Sequence, residues 1–493
     1  MKKLPAALLV TALILQTAGC GQDANPSSDE TGKTTESTGI ITETTDISAP
    51  ELPELDMNGK VFNIFLQGWC NFSPLDITDI CVAEQNGEII NDTAFMRQLA
   101  VQEKYNCVIS EFVDPIGQQD GIMKINSAVM SGENLYDIAL IRSPNLNTLL
   151  SSGCLTDFTT IPYVNPESPY YVKASFDELN IDGSHYALST NLSISPYMLI
   201  FATYFNKAMI ADYNLENIYD TVRSGQWTID KHYEMGKAVT ADLNNDGIFD
   251  ENDRYGTTHV WDAVEGFINS AGVKLTESRN GKLEQSYKSQ ISVDKMQHIL
   301  EVMSDKETFF NVHTRIADSS KINRLETGMF MERQTLFSVA GLFYVPLFRD
   351  MKDDFGIAPM PKYDADQEDY ISPIDATCFP ITVVPRSNDE LEYTGILLEE
   401  MSYLGYTELL PALYDTVLSG KCARDDDSVE MLDLIFSNTS YDCGMIFNFG
   451  GIRNEVRNMF RRFDGSFAST FASIDSKVDA NIDELIKAIN DNR

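Results

Sequence analysis

The sequence predicts an α/β fold built on mostly parallel sheets with helices on both faces, in a chain long enough for two domains. Three observations carry this. Apolar, strand-like runs alternate with helical patterns from Gly59 onward, joined by crossovers of about ten residues or more, as parallel neighbours require. Hydrophobic residues make up 43% and aromatic residues 10% of the 493, enough for two sizeable cores. Nothing beyond the first stretch approaches the roughly 20 apolar residues of a membrane-spanning helix, so the folded part reads as a soluble body.

The chain opens on a targeting segment. Lys2 and Lys3 form a charged head, Leu8 to Leu15 is an apolar run too short to span a bilayer, and Thr17-Ala18-Gly19-Cys20 brings small residues up to a cysteine. This resembles a lipobox, with Thr17 where Leu is usual. Residues 1–19 would then be a lipoprotein signal peptide and Cys20 the lipidated N-terminus. An ordinary secretory signal with an incidental cysteine is the alternative. Residues 20–53 are rich in Ser, Thr, Asp, Glu and Gly. Such a segment buries too little surface to offset its ordering entropy and is expected to be a disordered tether.

The elements then follow in order. Val61–Leu66 reads as a strand, Asp92–Tyr105 as a helix, Cys107–Phe112 as a strand, Ile122–Met130 as a helix and Tyr136–Ile141 as a third strand, with another helix from Asn145. In wound sheets ligands bind beyond the carboxyl ends of strands. Those positions hold Gln67, Trp69 and Asn71 after the first strand, and Arg142, Ser143 and Asn145 after the third. A second set of buried runs comprises Ser193–Tyr204, Thr335–Phe348, Phe355–Met360 and Phe379–Val384. Helical patterns fill Asp294–Ser304, Leu391–Tyr403 and Ser476–Asn490, and no internal repeat is visible.

Between Trp227 and Gly256 a short helix, with Thr228 as N-cap and Asp230 in its first turn, runs into a twelve-residue acidic loop. Asp242, Asn244, Asp246, Asp250 and Asp253 place oxygens at positions one, three, five, nine and twelve. Gly247 stands at the sharp turn, and Ile248 would offer its carbonyl. A calcium ion takes roughly six to eight hard oxygen ligands, and alternate loop positions aim them at one point. Asp253 stands where an EF-hand carries a bidentate Glu. The alternative is a solvated Asn/Asp/Gly turn.

The formal charge of −37 argues against nucleic-acid or anionic-membrane surfaces as partners. Seven cysteines follow Cys20, with no CxxC. Cys70–Cys81 and Cys422–Cys443 are possible bridges, but a chain of this size does not need them, and mostly reduced thiols are expected. The five histidines have no zinc-ligand spacing. No GxSxG, HExxH or P-loop sequence is present, and no carboxylate pair is singled out among 74 acidic residues.

Several stretches, in serial order, carry a family resemblance. DELNIDGSHYALST, Tyr204-Phe205-Asn206-Lys207, GQWTIDKHYEMGKAV with DLNNDGIFDENDRYG, RDMKDDFGIAPMPKYD and SPIDATCFPITVVPRS resemble segments of extracellular solute-binding proteins of family 1, the lipid-anchored receptors of carbohydrate ABC importers. Ser184-His185 departs from the family's Gly-Lys pair. The resemblance covers about Leu55 to the end. It implies a two-lobed, periplasmic-binding-protein-like (type II) fold, with 55–190 plus 376–410 as one lobe and 191–375 plus 411–493 as the other, the latter holding the acidic loop. It implies a ligand cleft between the lobes, an ABC permease as partner, a place on the extracytoplasmic face of the cell membrane, a monomer and no catalysis. A structural Ca2+ ion is the one cofactor expected.

Sugars offer apolar faces for stacking and a rim of hydroxyls for hydrogen bonds. Trp69, Trp261 with Asp262, Arg142, Tyr197, Tyr344 (beside Phe343) and Asp375 are the candidate ligand residues, a packing role being the alternative for each. Trp227, before a helix cap, is read as structural. Three other readings stay open: a surface polysaccharide-degrading enzyme, an adhesion module without an importer, and a receptor for peptide or another solute.

Overall fold

The computed structural model describes residues 47–68, 79–114, 120–259, 263–418 and 426–492. Nine strands build two sheets: β1 Lys60–Gln67, β2 Cys107–Asp114, β3 Ile138–Arg142, β4 Phe201–Asn206, β5 Tyr255–His259, β6 Phe309–Asn311, β7 Thr335–Gly341, β8 Phe355–Pro359 and β9 Pro380–Val383. The first sheet has the order β9-β3-β1-β2 and the second β8-β4-β7-β5-β6. In the first, β1 runs parallel to β2 and β3, and β9 pairs antiparallel with β3. In the second, β5 runs parallel to β6 and β7, while β4 is antiparallel to both β7 and β8. Each sheet thus has a parallel set wound with helices and one reversed strand, β4 or β9, which enters as the chain arrives from the other sheet.

Local chemistry accounts for these elements. Ile64 and Phe65 are adjacent in β1 and both fully buried, because helices cover both faces of a parallel sheet. In β4 all six residues are buried. The apolar run Ser193–Tyr204 is not one strand. Pro196 in the first turn starts a helical turn, Ser195–Met198, before β4 begins. The C-terminal helix is longer than its sequence pattern, spanning Phe467–Asn492. Asp426 and Asp427 form the first turn of helix Asp426–Ser437, and Asp427 pairs with Arg223.

Ile396, Leu397, Leu398 and Met401 of helix Leu391–Leu404 share a core with Phe62, Ile64, Ile138 and Leu140. Trp227, Phe205, Phe337, Ala358 and Met431 form a core on the second sheet. There the Trp227 indole N–H donates to the Pro359 carbonyl at 2.9 Å, consistent with a packing role. Cys81 and Cys443 form no disulfide in the structure; Cys70 and Cys422, the other halves of the two candidate bridges, lie outside the described residues. Among the described residues no helix is long and apolar enough to cross a membrane.

Between the sheets three runs of chain lie side by side. Ile200 bridges Ile374, and Ser372–Pro373 pairs parallel with Thr439–Ser440. The first run is anchored by a buried ion. Helix Ile89–Tyr105 buries Ala94, Arg97, Val101 and Tyr105, one face at helical spacing. The Arg97 guanidinium, 0% exposed, donates to the carbonyls of Asp79 (2.5 Å), Leu192 (2.9 Å), Met401 (3.4 Å) and Asn191 (3.5 Å). The Asp79 carboxylate accepts from the Ser193 hydroxyl (2.9 Å) and the Ile194 amide (2.6 Å).

Arg97 and the Asp79 carboxylate are opposite charges buried near each other, and removing one leaves the other uncompensated. Arg97→Met is therefore expected to cost about 3–5 kcal/mol, seen as a lowered denaturant midpoint. Adding Asp79→Leu should restore part of the loss. A single variant as stable as the parent would refute the anchoring role.

Candidate functional site

The carboxyl ends of β5 and β6 open onto a cavity of about 250 Å³. β5 delivers His259, β6 delivers Phe309 and Asn311, and the segments beside them add Lys306 and Arg315. Helix Ile452–Arg462 supplies the remaining wall. It buries Ile452, Val456 and Met459 and turns Arg457, Phe460 and Arg461 to the cavity. Phe463, at φ 52° just past the helix end, brings a third ring, with the Lys306 ammonium 4.8 Å from its centre. The wall therefore combines aromatic faces with a dense set of hydrogen-bond donors.

Each polar group is positioned by packing. Arg457 is paired with Glu265, which is 3% exposed in the first turn of helix Ala263–Ser270. Arg315 lies over the rings of Phe310 (4.8 Å) and Tyr255 (5.3 Å) and donates to the carbonyls of Phe249 (2.6 Å) and Lys306 (2.7 Å). Asn311 caps the turn Val312–Arg315 and lies 3.5 Å from the His259 ring nitrogen.

The sequence-derived candidates fall into separate places. Trp261 and Asp262 sit in the chain between His259 and Val264, which both line the cavity, but lie outside the described residues, as do Trp69 and Cys20. Arg142 and Asp375 are brought together at one turn. The Arg142 guanidinium donates to the Thr377 carbonyl (3.3 Å), and Asp375 accepts from the Thr377 amide (2.9 Å) and hydroxyl (2.6 Å). Gln67 accepts from the Arg142 amide and the Asn145 side chain, both at 2.9 Å, so the ends of β1 and β3 share one polar network.

Tyr197 and Tyr344 face elsewhere. The Tyr197 hydroxyl donates to Asn191 (3.1 Å) and its ring meets Phe436. Tyr344 is 2% exposed, donates to Glu326 (3.0 Å) and packs on Phe348, because the turn Leu342–Tyr344 points it inward. Sequence reading missed Lys306, Arg315, Arg457, Phe460 and Arg461. The signal available was the spacing of Arg453, Arg457 and Arg461, one helical turn apart in a strongly acidic chain.

The acidic loop lies directly behind this wall. Helix Ile229–Val239 leads into it and meets β5 at Gly236 and Gly256, where a Cβ on Gly256 would come within 2.6 Å of the Gly236 backbone. The loop is closed by the Ala241–Arg254 bridge and turns at Gly247, φ 77°. Asp242 accepts from the amides of Asn245 (2.7 Å) and Gly247 (2.8 Å), and Asp246 from that of Ile248 (2.8 Å). Asp250 accepts from the Asn252 amide (2.8 Å). Asp253, fully buried, accepts from the amides of Leu243 and Asp250, both at 2.9 Å. Asn244 accepts from the Asp246 amide (2.8 Å). The donors are oxygen throughout, the kind calcium takes. In this geometry they face the loop's own amides, and among the described residues no three acidic, histidine or cysteine side chains group to hold a metal.

No protein-family model matches the sequence, and no curated protein does. The fold is similar to that of a cyclo/maltodextrin-binding protein solved with maltotetraose, at 12% identity over 88% of this chain and 98% of that one, TM-score 0.53. It is similar to the GacH receptor of Streptomyces glaucescens, solved unliganded and with acarbose, at 12% identity over 88% and 99%, TM-score 0.51. An ABC substrate-binding protein of Listeria monocytogenes, solved with cycloalternan, matches at 12% over 87% and 99%, TM-score 0.51. The chain has the two-lobed, type II periplasmic-binding-protein fold.

His232, in the helix before the acidic loop, yields a pH prediction. It stacks on Phe337 (4.4 Å) inside a cage completed by Trp227 and Phe267. Burial, with a smaller push from His259, depresses its imidazole from the ordinary 6.5 to about 3. A depressed value gives stability that is present above 6.5 and lost as pH falls toward 3, because only the unfolded chain takes up the proton there. His232→Phe should flatten this acid limb by about 1.4 kcal/mol per pH unit. Denaturation at stepped pH reads it, and an unchanged slope would count against the assignment.

Proposed function

We propose that the chain is an extracytoplasmic substrate-binding lipoprotein that captures a saccharide between its lobes and delivers it to an ABC importer. The observation that carries the reading is the cavity at the ends of β5 and β6, where rings and hydrogen-bond donors converge at the sheet edge used by ligands in wound α/β folds. Similar structures solved with maltotetraose, acarbose and cycloalternan support a sugar as cargo. On this reading closure would turn about the three runs between the sheets, and both lobe faces would then meet the permease. Cys20 would carry the lipid that holds a monomeric receptor at the extracytoplasmic face of the cell membrane, and the protein would catalyse no reaction.

The acidic loop is proposed as a structural calcium site held by Asp242, Asn244, Asp246, Ile248, Asp250 and Asp253. The ion would relieve repulsion among carboxylates crowded on one turn. Its expected signature is a lower melting temperature in excess chelator, restored by calcium, with saccharide affinity retained in the cold. Melting that ignores both chelator and calcium would remove the ion.

The cargo is tested by thermal melting of the tether-deleted protein against a panel of mono- and oligosaccharides. A ligand that binds only the folded state raises the midpoint, by about 2.7 kcal/mol of stability at a hundredfold excess over Kd. One saccharide class is expected to shift it. Flat melting across saccharides with a shift from peptides would replace the sugar, and product release from an oligosaccharide would replace the binding role by catalysis.

A further inference from the structure

We infer that the cavity at the ends of β5 and β6 takes an acidic saccharide, one bearing carboxylate or sulfate groups. This deepens the saccharide reading and rests on it. The chain has 74 acidic and 37 basic residues, yet the described residues lining this cavity include Lys306, Arg315, Arg457 and Arg461 and no carboxylate. A local reversal of sign inside an acidic protein focuses the field at one place and draws anions to it.

The partners of these cations distinguish them from ordinary surface charges. Where the chain only balances its charge, its cations sit on carboxylates, as Arg223 does with Asp427 and Glu430, and Arg333 with Asp212 and Asp353. At the cavity Arg315 is held by two carbonyls and two rings, and no acidic side chain pairs with it among the described residues. Lys306 has the face of Phe463. Arg457 meets the carboxylate of Glu265, which is itself buried behind the wall. Asp262, outside the described residues, adds one further negative charge by sequence, which still leaves the cations in excess.

Geometry favours a planar or tetrahedral oxyanion over a bare hydroxyl. Arg457 and Arg461 stand one turn apart on one helix, and guanidinium forks match such groups with two parallel hydrogen bonds. Phe460 and Phe463 stand beside them to take the apolar face of a sugar ring. A neutral glucan needs the rings and a few donors. It does not need four cations on one wall.

The test measures affinity, by calorimetry on the tether-deleted protein, for oligogalacturonate, oligomannuronate and sulfated carrageenan oligosaccharides. Each is compared with its carboxyl-reduced or desulfated counterpart. An acidic member is expected to bind at least about tenfold more tightly than its neutral counterpart and to weaken as salt is added. The carboxylate and sulfate arms tell which group is read. Lys306→Gln and Arg461→Gln, both at exposed positions, should each weaken that ligand about tenfold while leaving the melting temperature of the free protein unchanged. A neutral oligosaccharide that binds as tightly as its acidic form, with both variants silent, would overturn the acidic class and leave the saccharide reading standing. Binding of none of these, nor of any saccharide, would overturn both.

Discussion

The structure depends most on a cation with no access to water. Arg97 lies at the heart of the first lobe and binds the backbone of three segments distant in sequence: Asp79, the first run between the sheets and the end of helix Leu391–Leu404. Asp79 completes the arrangement by holding the next two residues of that run. A guanidinium buried without several acceptors would carry a prohibitive desolvation cost, so the surrounding carbonyls have one arrangement that satisfies it. This makes the start of the first crossing rigid. The packing around it follows: Gly405 in helix Gly405–Leu409 leaves room for the Asn191 carbonyl, which a Cβ there would strike at 1.7 Å.

These contacts fix where the first run between the sheets begins. Beyond Asn191 the chain passes through the turn at Pro196 into β4, which lies antiparallel between β7 and β8 and so locks the second sheet in register. The return through Asp375 repeats the device. Its carboxylate closes the turn to Thr377, and β9 then adds antiparallel to β3. Under the proposed receptor role, closure would turn between these two fixed points.

The sequence made the first lobe legible almost element by element, because short apolar strand runs alternate there with helical stretches of the right length. Strands β1 to β3 differ from their sequence limits by a residue or two. The second lobe was legible in its apolar runs, although Pro196 divides one of them. The site was legible only in part. The end of β5, where the cavity opens, follows from the rule that ligands meet strand ends. Which neighbouring side chains join it depends on a helix almost 200 residues further on. Arg457 reaches the end of β5 through a long-range pairing with Glu265 that no local period encodes. Tyr197 and Tyr344 show the converse: both lie in the right segments, and a single turn of backbone points each into the core.

Arg315 gives the acidic loop a significance beyond its own stability. One of its donors grips the carbonyl of Phe249, inside the loop, and its plane rests on Tyr255, whose hydroxyl grips the carbonyl of Asp250 (2.8 Å). The loop and the cavity thus have a mechanical part in common. Free-energy coupling through a shared part is symmetric. Whatever an occupant of the cavity gains from a tighter loop, an occupant of the loop gains from a filled cavity, by the same factor. A shift of the loop backbone at Phe249 or Asp250 therefore reaches the cavity wall through Arg315 and Tyr255.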